Sequence, residues 1–252
     1  MTHTALITGA ASGIGAACAA AIAALPDTRL ALADIDAGTL ARTAEKLGSD
    51  RCLTLAFDVA DPAGWADAEA QIKARFGRID WAVVNAGVAD AAPIAEMSFD
   101  AWRRVLSTNL DGAFLTLQTT MRLMTNSGAV VAIASAAGVK AEPGIAAYAA
   151  SKAGLLQLAR VAAKEGAANQ IRVNAIAPGG VKTPIWRAVP MFAELVEKTG
   201  SEDGAYAEMA KFATPLGRYA EADEIAALAL NLLRDTAPVT GATIIVDGGY
   251  TL

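Results

Sequence analysis

The sequence predicts an α/β fold, in which one parallel β-sheet carries helices on both of its faces. Short apolar runs alternate with helical stretches at intervals of roughly 25 to 30 residues, which is typical of repeated strand–helix–strand units. The chain has 252 residues, 54% of them hydrophobic, and can therefore bury the core of one large domain. Polar residues follow four of the apolar runs, at the strand ends where ligands bind in such sheets, namely Asp34, Asp58, Asn85 and Ser135.

Composition and charge exclude several classes of function. The formal net charge is -5 and the sequence has no lysine or arginine cluster, so neither nucleic acid nor an anionic membrane is expected as a partner. The first residues lack the pattern of a secretory signal, and the longest weakly polar run, Ala16 to Leu25, is too short to cross a bilayer. Cys18 and Cys52 fit small buried hydrophobic residues in a reducing compartment. We therefore expect a cytoplasmic protein.

Histidine is almost absent from the sequence. The single histidine, His3, falls in a terminus that we expect to be frayed. A Ser-His-Asp hydrolase would lack its base, and a zinc site would lack ligands, so no metal site is expected. An enzyme with this sequence must therefore move protons with a tyrosine, a lysine or a carboxylate.

The first strand, Thr4 to Thr8, leads into a glycine-rich turn and then into a helix that extends to about Leu25. Glycines let the backbone approach a pyrophosphate closely, and the free N–H groups and the dipole of a helix N-terminus stabilise its charge. The spacing G-x-x-x-G-x-G is less common than G-x-G-x-x-G, and a turn that serves only the topology is the alternative. The candidate cofactor-binding residues of this turn are Gly9, Ser12, Gly13, Ile14 and Gly15.

The second strand, Arg29 to Ala33, ends in Asp34, about 20 residues after the glycine turn. A carboxylate at this position can bind the 2′-hydroxyl of an adenosine ribose and would repel a 2′-phosphate. No arginine or lysine is adjacent to it, so the sequence predicts NAD rather than NADP as the cofactor. The alternative is that Asp34 only caps the helix predicted from Ala37 to Leu47, although Asp36 is better placed for that role.

Two further strands, Cys52 to Phe57 and Asp80 to Val84, are followed by candidate cofactor contacts, namely Asp58, Val59, Asn85, Ala86 and Gly87. A long helix is then predicted from Ser98 to Met124, with Asn109 in its middle. Asparagine is unfavourable in a helix interior, and a buried asparagine must satisfy its amide. The sequence leaves open whether Asn109 is buried or points to solvent.

The residues best suited to chemistry lie between Ser135 and Lys152. A strand-like run from Ala129 to Ala134 ends in Ser135, and a loop leads into an alanine-rich helix that carries Tyr148 and Lys152. Positions four apart lie on one face of a helix. An ammonium beside a phenol can lower the tyrosine pKa toward the range useful for a general base. The alternative is an ordinary half-buried tyrosine and a solvated lysine.

The last third of the chain departs from the strand–helix rhythm. A sixth strand, Ile171 to Ala177, ends in Pro178-Gly179-Gly180, and a stretch with many aromatic residues follows, 181–212. We predict that this stretch forms a lid over the site, with a peripheral pair of helices as the alternative. A helix from Ala222 to Leu233 and a strand from Ala242 to Val246 complete the pattern.

Together these motifs resemble the short-chain dehydrogenase/reductase family over nearly the whole chain. The resemblance depends on their joint occurrence in this order: Thr8-Gly9-x-x-x-Gly13-x-Gly15, Asn85-Ala86-Gly87, Asn109, Ser135, Tyr148-x-x-x-Lys152, Pro178-Gly179 with Thr183, and Asp247-Gly248-Gly249. It implies one Rossmann-type doubly wound domain over residues 1–252, with a seven-stranded parallel sheet in the order 3-2-1-4-5-6-7. It also implies a homotetramer.

The same resemblance implies a catalytic role for four residues. Tyr148 would be the acid/base that takes the proton from an alcohol or returns it to a ketone, and Ser135 would hold the substrate oxygen. Lys152 would lower the pKa of Tyr148 and bind the nicotinamide ribose. Asn109 would order a water that passes protons from Lys152 to solvent.

Further cofactor contacts also follow from the resemblance. Asp58 and Val59 would contact the adenine, and Thr183 the nicotinamide carboxamide, with Pro178, Gly179 and Val181 beside it. Two positions depart from the family pattern. Val84 stands where the family often has asparagine, which puts a structural hydrogen bond near the sheet in doubt, and Lys182 stands beside Thr183 with no assigned role.

The expected function is that of an NAD-dependent oxidoreductase acting on a secondary alcohol or its ketone, a small molecule. One alternative is a 3-oxoacyl-thioester reductase that uses NADPH, against which Asp34 and the acidic composition argue. Another, of a different class, is a non-catalytic dinucleotide-binding sensor, since a fold alone does not fix function. The lid residues are compatible with a sugar acid, a polyol or a hydroxy ketone and do not choose among them.

Overall fold

A computed structural model describes residues 2–234 and 237–252, which form three layers with a seven-stranded sheet between two layers of helices. The strands are β1 (His3–Thr8), β2 (Thr28–Asp34), β3 (Cys52–Ala56), β4 (Trp81–Val84), β5 (Gly128–Ile133), β6 (Ile171–Pro178) and β7 (Thr243–Val246). Every neighbouring pair is parallel, and the order is β3-β2-β1-β4-β5-β6-β7. The predicted fold class and strand order are confirmed.

The helices cover both faces of this sheet or lie beyond its edge. They are α1 (Gly13–Ala23), α2 (Ala37–Leu47), α3 (Pro62–Phe76), α4 (Phe99–Leu106), α5 (Gly112–Leu123), α6 (Ala146–Gly166), α7 (Pro190–Thr199), α8 (Glu202–Ala213) and α9 (Ala222–Arg234). Within the described ranges, no helix combines the length and the apolar character needed to cross a bilayer.

The sheet is buried on both faces because its strands are apolar along nearly their whole length. Successive residues of a strand point to opposite faces, so Leu6 joins the core under α3, α5 and α6, whereas Ala5 and Ile7 join the core under α1, α2 and α9. These two cores hold the carboxyl ends of the strands at one rigid edge, where the polar strand-end residues lie.

Two sequence-based expectations need correction. His3 is not frayed: it belongs to β1, and its ring stacks on Trp81 at a centroid distance of 4.4 Å. The long helix predicted from Ser98 to Met124 is not uniform. Ser98 caps α4 through the N–H of Ala101, but a π-helical turn, Ser107–Asp111, separates α4 from α5. A π turn accommodates an extra residue and is often found at functional sites.

The stretch predicted as a lid contains a short 3-10 helix, Pro184–Ala188, followed by α7 and α8. It has an apolar core of its own, separate from the two cores of the sheet, built around Phe192, Tyr206 and Met209 and completed by Tyr219. The Tyr206 hydroxyl also donates a hydrogen bond of 3.1 Å to the carbonyl of Thr183. The stretch is therefore anchored at its first residues and packs largely on itself.

Candidate active site

One cavity of about 1400 Å³ opens at the carboxyl edge of the sheet. Nearly all of the predicted site residues line it: Gly9, Ser12, Gly13, Ile14, Asp34, Asp58, Val59, Asn85, Ala86, Gly87, Ser135, Tyr148, Lys152, Pro178, Gly179, Val181 and Thr183. Residues far apart in the sequence therefore meet in one place, as the parallel sheet requires. Two predicted residues, Gly15 and Asn109, lie behind its wall.

The glycine turn exposes main-chain atoms to the cavity. Gly9 and Gly13 have φ of +65° and +54°, a conformation that favours glycine. Helix α1 begins at Gly13, and the Ser12 hydroxyl does not cap it, so the first N–H groups of the helix keep their hydrogen-bonding capacity for an anion. Gly15 packs this helix against the turn, since a Cβ there would lie 2.0 Å from the Gly9 carbonyl oxygen.

The Asp34 carboxylate ties the end of β2 to the glycine turn. Its two oxygens accept hydrogen bonds from the N–H of Ala11, at 2.9 Å, and from the N–H of Asp36, at 3.0 Å. The helix cap is Asp36, whose carboxylate accepts from the N–H of Thr39 at 3.0 Å. Asp34 is therefore not the cap of α2, and its carboxylate lines the cavity.

Asn85 supports the same turn from the neighbouring strand. Its side-chain amide donates to the carbonyls of Thr8 at 3.0 Å and of Gly9 at 3.3 Å. The Thr8 hydroxyl in turn accepts from the N–H groups of Asn85 and Ala86. Val84, where the family often has asparagine, is 3% exposed and packs in the sheet core instead. The turn is thus held from β4 without that asparagine.

Tyr148 and Lys152 lie on one face of α6, as the spacing predicted. The Lys152 ammonium is 5.7 Å from the centre of the Tyr148 ring and donates a hydrogen bond of 3.0 Å to the Ile133 carbonyl at the end of β5. Lys152 is 3% exposed, and its ammonium lies near Gly87, at the end of β4. Ser135 lies two residues beyond the end of β5, and its hydroxyl accepts a hydrogen bond from the N–H of Ala137 at 3.1 Å.

The electrostatics differ from the sequence-based expectation. Burial raises the pKa of Tyr148, and a hydrogen bond with Ser135 offsets this only in part. Burial also lowers the pKa of Lys152 to about 8, because the ammonium loses hydration. The expected lowering of the Tyr148 pKa by Lys152 is therefore not found in the protein alone, where burial dominates.

Asn109 is fully buried in the π turn, which resolves the question that the sequence left open. Its side-chain oxygen accepts from the N–H of Val88 at 2.8 Å, and its amide donates to the Val88 carbonyl at 2.9 Å and to the Ser151 hydroxyl at 3.0 Å. The Ser151 hydroxyl donates to the carbonyl of Tyr148 at 2.7 Å. Asn109 thus fixes the loop after β4 against the helix that carries Tyr148. Sequence reasoning missed Ser151, which has no motif of its own.

Lys182, which the sequence left without a role, is not among the residues that line the cavity. Its ammonium contacts the carboxylates of Glu221 at 2.6 Å and Asp203 at 3.5 Å. The neighbouring Thr183 does line the cavity, and its side chain lies over Gly13 of the glycine turn. Lys182 therefore joins the first residues of the stretch predicted as a lid to α8 and to Glu221, which directly precedes α9.

Sequence reasoning missed the wall that the end of the chain contributes. Tyr250 and Leu252 line the cavity together with Lys140 and Glu142 of the loop before α6. The Lys140 ammonium donates a hydrogen bond of 2.8 Å to the Tyr250 carbonyl. These partners are 110 positions apart in the sequence, and no local pattern indicates that they meet.

The residues present fit a dinucleotide with a nicotinamide. A Cβ at Gly9 would lie 2.7 Å from the Asn85 amide, so only glycine leaves the backbone free at this point of the turn. The exposed N–H groups of α1 suit a pyrophosphate, and the Asp34 carboxylate suits ribose hydroxyls. Exposed Ile35 and partly buried Phe57 add an apolar surface for a base, which the sequence analysis did not single out.

Comparison with known proteins gives consistent results. Residues 9–251 match the model of a family described as enoyl-(acyl carrier protein) reductase. The chain is 41% identical to a D-threitol dehydrogenase of Mycolicibacterium smegmatis, covering 98% of this chain and 92% of that protein. It is 38% identical to a cis-4-hydroxycyclohexanecarboxylate dehydrogenase of Sinomonas cyclohexanicum, covering 99% and 96%.

A solved structure is similar throughout its length. The crystal structure of a short-chain type dehydrogenase/reductase from Mycobacterium marinum superimposes with a TM-score of 0.85 at 32% sequence identity. The superposition covers 99% of this chain and 95% of that one. The fold, the site motifs and the relatives therefore all point to one family of oxidoreductases.

Proposed function

This chain belongs to the short-chain dehydrogenase/reductase family, and we propose that it is an NAD-dependent oxidoreductase that interconverts a secondary alcohol and its ketone. The observation that carries the proposal is that Ser135, Tyr148 and Lys152 line the same cavity as the glycine turn. A binding module without catalysis would not need an acid/base group and an ammonium beside a dinucleotide site.

The three side chains divide the proton chemistry among them. In oxidation, the Tyr148 phenolate accepts the hydroxyl proton of the alcohol, and in reduction the Tyr148 phenol returns it to the ketone oxygen. The Ser135 hydroxyl donates a hydrogen bond to that oxygen. The Lys152 ammonium favours the phenolate by its charge. A bound cofactor would accept or supply the hydride, with its pyrophosphate held by the glycine turn and its nicotinamide by Thr183.

NAD is the proposed cofactor because a carboxylate, Asp34, lies where the adenosine ribose would be bound. Lysines line the cavity at Lys140, Lys152 and Lys198, but these belong to the loop before α6, to α6 and to α7. Among the described residues that line the cavity, none with a positive charge follows β2 or belongs to the glycine turn. A 2′-phosphate would therefore meet Asp34 without a compensating cation.

The two relatives support a secondary alcohol as the substrate, since both of their names specify the oxidation of hydroxylated compounds. The alternative, reduction of a 3-oxoacyl thioester with NADPH, draws support from another relative, a 3-oxoacyl-[acyl-carrier-protein] reductase of Thermotoga maritima that is 34% identical over 98% of this chain. The cofactor separates the two proposals, because the thioester reductase reading requires a preference for NADPH over NADH.

We also propose a cytoplasmic homotetramer. Large apolar side chains are exposed outside the cavity, among them Phe99, Phe114 and Ile245, and contact between copies would bury them. Ile245 lies on β7, which has a neighbour on one side only. Light scattering after size-exclusion chromatography tests this proposal, and a monomer of 25.7 kDa would contradict it.

The function is tested by initial rates of reduced-cofactor formation with a panel of secondary alcohols and polyols, using NAD and NADP in parallel. We expect turnover with at least one alcohol and a higher kcat/KM with NAD. A preference for NADP would contradict the role given to Asp34. Turnover of a 3-oxoacyl thioester with NADPH and of no alcohol would favour the alternative.

A further inference from the structure

The half of the cavity beyond Tyr148 has two unlike walls. The lid contributes mostly apolar side chains, among them Trp186, Met191 and Met209, and its charged lining residues are Lys198 and Glu208. The wall formed by the loop before α6 and by the end of the chain is polar, and its principal side chains are Lys140, Glu142 and Tyr250. A substrate in this half of the cavity can therefore reach the cluster formed by Lys140, Glu142 and Tyr250.

The end of the chain is folded back to form this polar wall. The Asp247 carboxylate accepts hydrogen bonds from the N–H of Gly249 at 2.9 Å and from the N–H of Thr251 at 2.8 Å. The resulting turn presents Tyr250 to the cavity. The Lys140 ammonium then fixes the turn by its hydrogen bond to the Tyr250 carbonyl, and it also lies 4.0 Å from the centre of the Tyr250 ring.

Glu142 is held by the same two residues. Its carboxylate is 3.6 Å from the Lys140 ammonium. Burial raises the pKa of the Tyr250 hydroxyl, and a hydrogen bond to the Glu142 carboxylate raises it further. The side chain of Glu142 nevertheless remains 37% exposed, and it lines the cavity. A carboxylate has about four acceptor positions, so Glu142 can accept further hydrogen bonds from a molecule in the cavity.

We propose that Glu142, positioned by Lys140 and Tyr250, accepts hydrogen bonds from hydroxyl groups of the substrate remote from the carbon that is oxidised, and so selects neutral polyols. This inference rests on the proposed function. Carboxylate oxygens are strong acceptors for hydroxyl groups, and a substrate that lacks those hydroxyls would displace water from Glu142 without replacing its hydrogen bonds. The ion pair with Lys140 cancels the net charge of the wall, which suits an uncharged ligand.

The test compares two substrates with the same four-carbon skeleton, D-threitol and butan-2-ol, which differ in the number of hydroxyl groups. In the Glu142→Gln variant, we expect kcat/KM with NAD to fall roughly 10- to 100-fold for D-threitol and to stay within about twofold for butan-2-ol. Tyr250→Phe, which removes one group that holds Glu142, should lower the D-threitol value by a smaller factor. Glu165→Gln, on the exposed face of α6, is the matched control and should change neither.

The outcomes separate this inference from the proposed function. Wild-type enzyme that oxidises butan-2-ol but not D-threitol overturns the polyol site and leaves the oxidoreductase intact. An unchanged ratio of the two kcat/KM values in Glu142→Gln also overturns the inference. If neither alcohol is oxidised, calorimetric titration of D-threitol into the NADH-loaded enzyme tests the role of Glu142 independently of turnover. Equal affinity of the wild type and of Glu142→Gln for D-threitol, or no binding to either, overturns the inference.

Discussion

The cofactor half and the substrate half of the cavity are built in different ways. In the cofactor half, backbone approaches backbone so closely that a single added Cβ at Gly15 would lie 2.0 Å from a carbonyl oxygen. In the substrate half, the walls are side chains held by ion pairs, a hydrogen bond to the end of the chain and a separate aromatic cluster. The first half therefore tolerates little change, whereas the second can be altered residue by residue without disturbing the sheet.

This contrast explains why the cofactor class is easier to infer than the substrate. The cofactor half depends on positive φ angles and close main-chain contacts that glycine adopts far more readily than other residues. The glycines of the turn are therefore visible in the sequence. The substrate half depends on side chains whose identity can change while the loops keep their course. The proposed catalytic residues, Ser135, Tyr148 and Lys152, lie where the two halves meet. The predictions below test whether the two halves respond as differently as their construction indicates.

The largest effect outside the catalytic residues is expected at Gly15. Gly15→Ala forces α1 away from the turn, and we expect the affinity for NAD to fall about 100-fold, together with a lower melting temperature. Gly38→Ala is the matched control, because Gly38 lies in α2 and a Cβ there would meet its nearest atom at an ordinary 3.5 Å. Calorimetric titration with NAD measures both. Normal NAD binding by Gly15→Ala would show that the turn is not tightly built.

A smaller change is expected in the choice of cofactor. Asp34→Asn removes the charge that opposes a 2′-phosphate, and we expect the ratio of kcat/KM for NAD over NADP to fall roughly 10- to 100-fold. Asp36→Asn is the control, since Asp36 caps α2 and does not line the cavity. Initial rates with both cofactors give the ratio. A ratio that changes equally in the two variants would mean that Asp34 acts through the helix.

The pH dependence of kcat/KM tests the role proposed for Tyr148. Burial raises the pKa of Tyr148, so the phenol is protonated near neutral pH. Oxidation needs the phenolate, and we therefore expect its kcat/KM to rise about tenfold per unit between roughly pH 6 and pH 8. Lys152, with a pKa of about 8, keeps its charge over most of this range. Reduction uses the protonated phenol and should be flat there, so an oxidation profile that is also flat would contradict this assignment.

The smallest effect is expected in the lid. Lys182 joins the predicted lid to the rest of the protein through its ion pair with Glu221, and it also pairs with Asp203 inside the lid; such exposed pairs contribute little individually. Lys182→Met should raise KM no more than about fivefold and leave NAD affinity unchanged. Arg187→Met, which breaks a pair with Glu202 inside the lid, should have no effect. A large loss of NAD affinity in Lys182→Met would mean that the two halves are coupled through this residue.

Local patterns in the sequence were sufficient for the parallel sheet and for the glycine turn, whereas the strand order followed from the family resemblance. Apolar runs, the glycine turn and the cap at Asp36 each depend on neighbouring residues, and the structure confirms the parallel sheet and the cap. The alternation of strands and helices also brings distant strand ends such as Asp34 and Ser135 to one edge. Such features follow from periodicity and from the geometry of a parallel sheet.

Features that depend on tertiary contacts could not be predicted in the same way. The π turn around Asn109 depends on packing against α6 through Ser151, and the stacking of His3 depends on Trp81 in a strand far along the chain. The raised pKa of Tyr148 follows from burial, which a spacing of four residues does not reveal. The contact between Lys140 and Tyr250 has no local signature at all.

The most direct measurement of the central claim is to compare turnover and cofactor binding in the Tyr148→Phe variant. If Tyr148 is the acid/base, the variant should bind NAD with nearly wild-type affinity and lose at least about a thousandfold in kcat for its best alcohol. Turnover within about tenfold of wild type would contradict the account, because the proton would then be taken by another group.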